Sequence, residues 1–168
     1  VVLPPRIAPK HIVILPVIPK EEHREPVIAA ADALAAKLKA LHFHDDKVTV
    51  KIDDRDLNGG VKNWEWIKKG VPIRVEIGPR DLEKGSVAVV RRDRGPKEKA
   101  FLPTDEFVSQ AVSTLQEIQD GLYERALAFR EEYSINIDTK EAFYDFFQNE
   151  KSSGGFAVAH WAGTNEDE

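Results

Sequence analysis

Residues 62–99 hold the most concentrated chemistry in the chain. Eleven lysines and arginines stand there against six carboxylates, whereas residues 1–61 are balanced and residues 103–168 carry a net charge of −10. A basic segment in a protein of net charge −5 is an electrostatic footprint for a polyanion. It is equally what a solvated face of mixed charge looks like. Trp64 and Trp66 lie inside this stretch. Cations supply contacts for phosphates and flat rings supply contacts for unstacked bases, so the combination suits single-stranded RNA. Both rings could also belong to the core. Two positions apart on a helix they cannot face the same way, so one is expected to be exposed or at an interface.

Other reactive groups are sparser. Asp53-Asp54-Arg55-Asp56 could do acid–base work, or could fix the loop that enters the next helix. His11, His23, His42, His44 and His160 are scattered. His42 and His44 flank Phe43 at an expected helix end, and no third ligand stands at a helpful spacing for a metal. There is no cysteine, which excludes disulfides and thiolate metal sites. No Gly-rich phosphate loop, G-x-S-x-G elbow or H-E-x-x-H motif occurs. No run approaches the length of a membrane span, and no signal peptide is evident. The expected location is the cytoplasm. The sequence has no methionine and starts Val1-Val2-Leu3, so a piece of a larger protein is expected.

The elements that must position these groups follow from periodicity. Residues 1–10, with Pro4, Pro5 and Pro9, are expected to form an extended linker. The β-branched run His11–Ile18 predicts a buried strand. Val27, Ala30, Ala31, Leu34, Leu38 and Leu41 fall at helical spacing within Glu21–Leu41, with Pro26 confined to the first turn. Lys47–Ile52 alternates as a second strand. Asn58-Gly59-Gly60 marks entry to a short helix, Val61–Lys69, that Gly70 stops. Val71–Ile77 alternates as a third strand, Gly78-Pro79 turns the chain, Ser86–Arg91 is a fourth strand and Lys99–Leu102 a fifth. Thr104-Asp105 caps a long amphipathic helix reaching about Tyr133. A helix over Lys140–Phe147 and a strand within Gly154–Trp161 complete the chain. The order predicts an α/β fold: a mixed five-stranded sheet flanked by helices over 11–103, then a small α+β extension over 104–168.

The string Gly60-Val61-Lys62-Asn63-Trp64-Glu65-Trp66-Ile67-Lys68-Lys69-Gly70-Val71-Pro72-Ile73-Arg74-Val75-Glu76-Ile77-Gly78-Pro79-Arg80-Asp81 resembles the hallmark stretch of prolyl-tRNA synthetases of the archaeal/eukaryotic-like type. Asp53-Asp54-Arg55-Asp56 and Arg91-Arg92-Asp93 match as well. Val2–Pro9 resembles the segment that follows the last class II catalytic motif, and Gly154–Trp161 resembles the family's C-terminal zinc-binding-like domain. The resemblance covers essentially the whole chain. It implies the anticodon-binding part of an enzyme that uses ATP and Mg²⁺ to join proline to its tRNA, with no catalytic residues and no cofactor of its own in this chain. The implied partners are the proline anticodon stem-loop, the enzyme's own catalytic domain and, for the full-length enzyme, a second copy.

Carried over position by position, the resemblance makes Arg74, Asp81 and Lys97 the contacts to the two anticodon guanines. Lys62, Glu65 and Lys69 match the same motif and suit backbone contacts or helix packing. The sequence also departs from the pattern. Ile67 stands where many relatives have an anticodon-contacting Glu, and Asn63 stands where many have an aromatic ring, whose stacking Trp64 could replace. Ala162 and Asp167 stand where zinc-binding relatives have cysteines, so the thiolate zinc site is not retained. Two other readings stand beside this one. An anticodon-binding-like module can serve interactions in a non-enzymatic accessory or regulatory protein. A flavodoxin-like small-ligand domain would want a glycine-bearing phosphate loop after the first strand, where Pro19-Lys20-Glu21-Glu22 has none.

Overall fold

The computed structural model describes residues 2–95, 98–148 and 154–160. It forms two compact units, Val1–Leu122 and Tyr123–Glu168. The strands and helices of the first are β1 (Ile12–Pro16), α1 (Arg24–Lys39), β2 (His42–Phe43), β3 (Asp46–Lys47), β4 (Val50–Ile52), α2 (Gly59–Lys68), β5 (Ile73–Ile77), α3 (Pro79–Lys84), β6 (Ser86–Arg91), β7 (Lys99–Pro103) and the start of α4 (Thr104–Glu132). The second holds the end of α4, β8 (Ser134–Ile137), α5 (Lys140–Gln148) and β9 (Phe156–Ala159), with β8 and β9 paired in parallel.

The sheet of the first unit runs β4-β1-β5-β6-β7. β4, β1 and β5 are parallel, and β6 and β7 continue antiparallel. The expected α/β mixed five-stranded sheet is therefore present. Its main core lies on one face, where Ile12, Ile14, Ile73, Val75, Val87 and Val89 meet Leu34 and Leu38 of α1 and Phe107, Ala111, Leu115 and Ile118 of α4. On the opposite face, Val13 and Leu15 of β1 lie under Trp66 of α2 together with Val71. Apolar cover on both faces explains why β1 is a continuous hydrophobic run.

Three elements differ from the sequence-based expectations. The run Lys47–Ile52 is split: Asp46–Lys47 folds back on His42–Phe43 as a small hairpin, and only Val50–Ile52 joins the sheet. The break comes at Thr49, which is tied to His11 by backbone and hydroxyl bonds. His42 accordingly sits in β2, beyond the end of α1, and Phe43 is buried against the His11 ring. Gly78-Pro79 leads into α3, where Asp81 accepts a hydrogen bond from the Gly78 N–H at 2.9 Å. β8 is an unexpected strand, made by pairing with β9. The first compact unit extends to Leu122, and the first turns of α4 fill the sheet's core.

Gly70 ends α2 with φ +75°, a conformation that favours glycine. A Cβ there would also collide with the side chain of Leu3. His11 ties the same N-terminal segment to the sheet. Its Nδ1 accepts from the Thr49 N–H at 3.0 Å, so the ring is neutral in the fold. Burial lowers its pKa, against the raising effects of Asp46 and of a hydrogen bond with the Pro5 backbone. The unfolded chain therefore takes up the proton first. Stability should be highest above the ordinary value of 6.5, fall as pH drops from 6.5 through the folded pKa, and fall no further below it. Thermal melts at several pH values should show this fall, and His11→Asn should flatten it while the other four histidines stay in place.

Candidate nucleic-acid interface

The motif around α2 and β5 is organised by Asp53, which follows β4 and is 1% exposed. Arg55 donates to both of its oxygens, Nε to Oδ1 at 2.8 Å and Nη2 to Oδ2 at 2.7 Å. The buried Trp66 Nε1–H donates to Oδ2 at 2.7 Å. The bonds from Arg55 hold the Asp53 carboxyl down at about 2, with burial opposing them and Trp66 adding to them. Arg55 also reaches Glu65 at 2.8 Å. Lys62 is buried and donates to the carbonyls of Asp53 and Arg55 at 3.3 and 3.1 Å. Asn58 caps α2 by accepting from the Gly60 N–H at 2.8 Å. The acidic cluster thus fixes the entry to α2, and Lys62 and Glu65 are parts of that frame.

The two tryptophans divide as their spacing requires. Trp66 is buried under the Lys69 ammonium, 4.4 Å from the ring centroid. Trp64 is 59% exposed with Lys68 at 5.7 Å.

Across β5, β6 and β7 the second sheet face carries polar groups. Register aligns Arg74 with Val90 and Val90 with Lys99, and in the next row Glu76 with Ala88 and Ala88 with Phe101. Asn63 of α2 reaches over this face. It accepts from Arg74 Nε at 3.0 Å and donates to Glu76 Oε1 at 3.3 Å. Lys99 donates to Glu76 Oε2 at 2.6 Å. Arg74 is 5% exposed, and its Nη1 has no hydrogen-bond partner. Burial, and secondarily the like charge of Arg92, lower the Arg74 pKa.

Beside this network a cleft of about 540 Å³ opens between the ends of β1 and β5 and extends to β7. Val17, Gly78 and Ala88 line it along with Glu76 and Asp81, while Arg80, Lys99 and Phe101 stand at it as exposed side chains. The cleft lies at the carboxyl ends of the parallel strands β1 and β5.

Of the residues selected from sequence, Asp81 lines this cleft and Arg74 lies in the polar row next to it. Trp64, Glu65 and Lys62 lie along α2, and Lys69 is its C-cap residue. Lys97 falls outside the described residues. Glu76, Lys99 and Phe101 were not selected. The signal for Glu76 was present, because a strand reading Arg74-Val75-Glu76 puts two charges on one face. No sequence pattern placed Lys99 or Phe101 beside it, since that depends on the β6–β7 register.

An α/β domain with two covered sheet regions and a polar cleft at the strand ends is a binding scaffold. The chain belongs to the anticodon binding domain family, whose model matches residues 11–114. It is 48% identical over 167 residues to a proline–tRNA ligase of Akkermansia muciniphila, covering 99% of this chain and 33% of that protein. It is 49% identical over 171 residues to proline–tRNA ligase 2 of Anaeromyxobacter dehalogenans, with 96% of this chain and 34% of that protein covered. A crystal structure of prolyl-tRNA synthetase from Cryptosporidium parvum, complexed with L-proline and AMP, matches 98% of this chain and 32% of its own at a TM-score of 0.82 and 34% identity. The chain spans about a third of the length of these relatives.

Proposed function

We infer that this chain is the anticodon-reading part of a proline–tRNA ligase of the archaeal/eukaryotic-like type. The observation that carries the reading is the cleft itself: two oriented carboxylates, Glu76 and Asp81, set between exposed cations and an exposed ring. Each carboxylate is held by its own partners and still has lone pairs to offer. A carboxylate accepts from the N1–H and N2–H edge of guanine, and arginine or lysine donates to its O6 and N7. Arg80, Lys99, Lys68 of α2 and Lys69 at its C-cap supply charge for phosphates. Arg74, with a buried nitrogen lacking an acceptor, has a bond left to make.

In the whole enzyme, proline activation with ATP and Mg²⁺ belongs to the catalytic domain, which docks on this chain and pairs with a second copy, in the cytoplasm. The second unit corresponds to the relatives' zinc-binding-like domain. The chain has no cysteine, and among the described residues no cluster of three His, Asp or Glu could hold a metal. This chain therefore supplies no thiolate donor for zinc.

The test is a titration at low and moderate salt with two RNAs, a proline anticodon stem-loop and one with its two guanines replaced. Tighter, salt-sensitive binding of the first is expected, with each guanine contributing about 1–3 kcal/mol of discrimination. Equal affinity for both RNAs would refute anticodon reading. Absence of binding would favour an interaction module instead.

A further inference from the structure

Phe101 is the least expected feature of the cleft. It lies on β7, an edge strand, and is 67% exposed. Its direct neighbour across the ladder is Ala88, whose small side chain leaves a shallow floor, and beyond Ala88 in the same row stands Glu76. Lys99, two residues earlier on the same face, is bonded to Glu76. An apolar ring is therefore held on a rigid strand, flanked by a cation and a carboxylate, at the mouth of a polar cleft. A protein partner would bring apolar side chains to cover the ring, and the flanking ion pair makes a poor setting for that. An unstacked nucleobase suits all three groups, because its π-face meets the ring, its polar edge meets the carboxylate and its phosphate meets the lysine.

We propose that Phe101 is the stacking platform for one anticodon base and that Glu76 and Lys99 set the plane and edge that this base presents. Trp64, the exposed ring on α2, is not the platform. It lies outside the residues that line the cleft and carries Lys68 over its face. The proposal rests on the anticodon reading above and names its aromatic contact.

The experiment uses this chain as wild type and as Phe101→Ala, Phe101→Leu and Phe101→Trp. Each is titrated against the proline anticodon stem-loop and against three versions carrying an abasic nucleotide at one anticodon position. Phe101→Ala should weaken binding of the intact stem-loop roughly 5- to 100-fold. Phe101→Leu should resemble Phe101→Ala, and Phe101→Trp should restore affinity. At one abasic position the penalty of Phe101→Ala should vanish, because the ring has lost its partner. A penalty equal for all four RNAs, or no penalty on the intact one, would overturn the proposal. Retained preference of the wild type for the anticodon guanines would then show that anticodon reading stands without Phe101. Loss of that preference in the wild type itself would remove both claims.

Discussion

Phe107→Ala should lower the unfolding free energy of the sheet-bearing unit by about 3–5 kcal/mol. Phe107 is 1% exposed and stands in the first turn of α4, packed in one core with the inward residues of β1, β5 and β6. Ala111, Leu115 and Ile118 follow it at helical spacing in the same core. Removing the ring deletes its transfer free energy and leaves a cavity that a rigid sheet cannot fill. Phe129, on the same helix but 55% exposed and beyond Leu122, is the control. Phe129→Ala should cost less than about 1 kcal/mol. Urea unfolding followed by Trp66 fluorescence measures both. A small effect at Phe107 would mean that the helix from residue 104 is dispensable to the sheet, as a boundary at that residue implies.

Asp53→Ala should cost roughly 2–4 kcal/mol, unusually much for a residue in a loop. The substitution strands the buried Trp66 indole N–H, removes both bonds to Arg55 and loosens the strut that Arg55 makes to Glu65. Arg55 is partly exposed and regains water, which keeps the loss below that of a fully buried ion pair. Asp53→Asn, which keeps an acceptor for Trp66, should recover part of the loss. The acid profile gives an independent check. The folded carboxyl is held at about 2 against an ordinary 3.8, so its contribution is complete above 3.8 and is lost as pH falls from 3.8 through about 2. That gap corresponds to about 2 kcal/mol. A wild type and Asp53→Asn with identical stability between pH 5 and pH 2 would show that the carboxylate does not hold this loop.

Both predictions bear on the cleft through its scaffold. Phe107 supports the core face of β5 and β6, whose other face presents Arg74, Glu76 and Ala88. Asp53 fixes the start of α2, and α2 carries Asn63 over to Arg74 and Glu76. A loss of RNA affinity in either variant is therefore expected to follow the loss of structure, unlike the effect at the exposed Phe101.

Much of the molecule was legible in the amino-acid order. Hydrophobic periodicity located β1, α1, α2, β5, β6, β7 and α4 within a few residues, because burying one stripe or one face leaves a period that a chain cannot hide. Asn58 and Gly70 marked the ends of α2 by their own backbone chemistry. The spacing of Trp64 and Trp66 required that one ring be exposed, and the string Gly60–Asp81 pointed to the anticodon-binding fold. What local pattern could not state was which partner each element finds. Asp46–Lys47 left the sheet because Phe43 could be buried by a hairpin, and β8 exists only through β9. By sequence the basic stretch reads as one surface, yet Lys62 and Arg74 are buried, and Arg91 is paired with Asp93 and Glu117. Charge is written in the sequence, but its availability is set by burial and pairing. The cleft is the clearest case. Glu76, Lys99 and Phe101 come from β5 and β7, and only the antiparallel register of β5, β6 and β7 brings their side chains to one face of the sheet, beside Asp81 of α3.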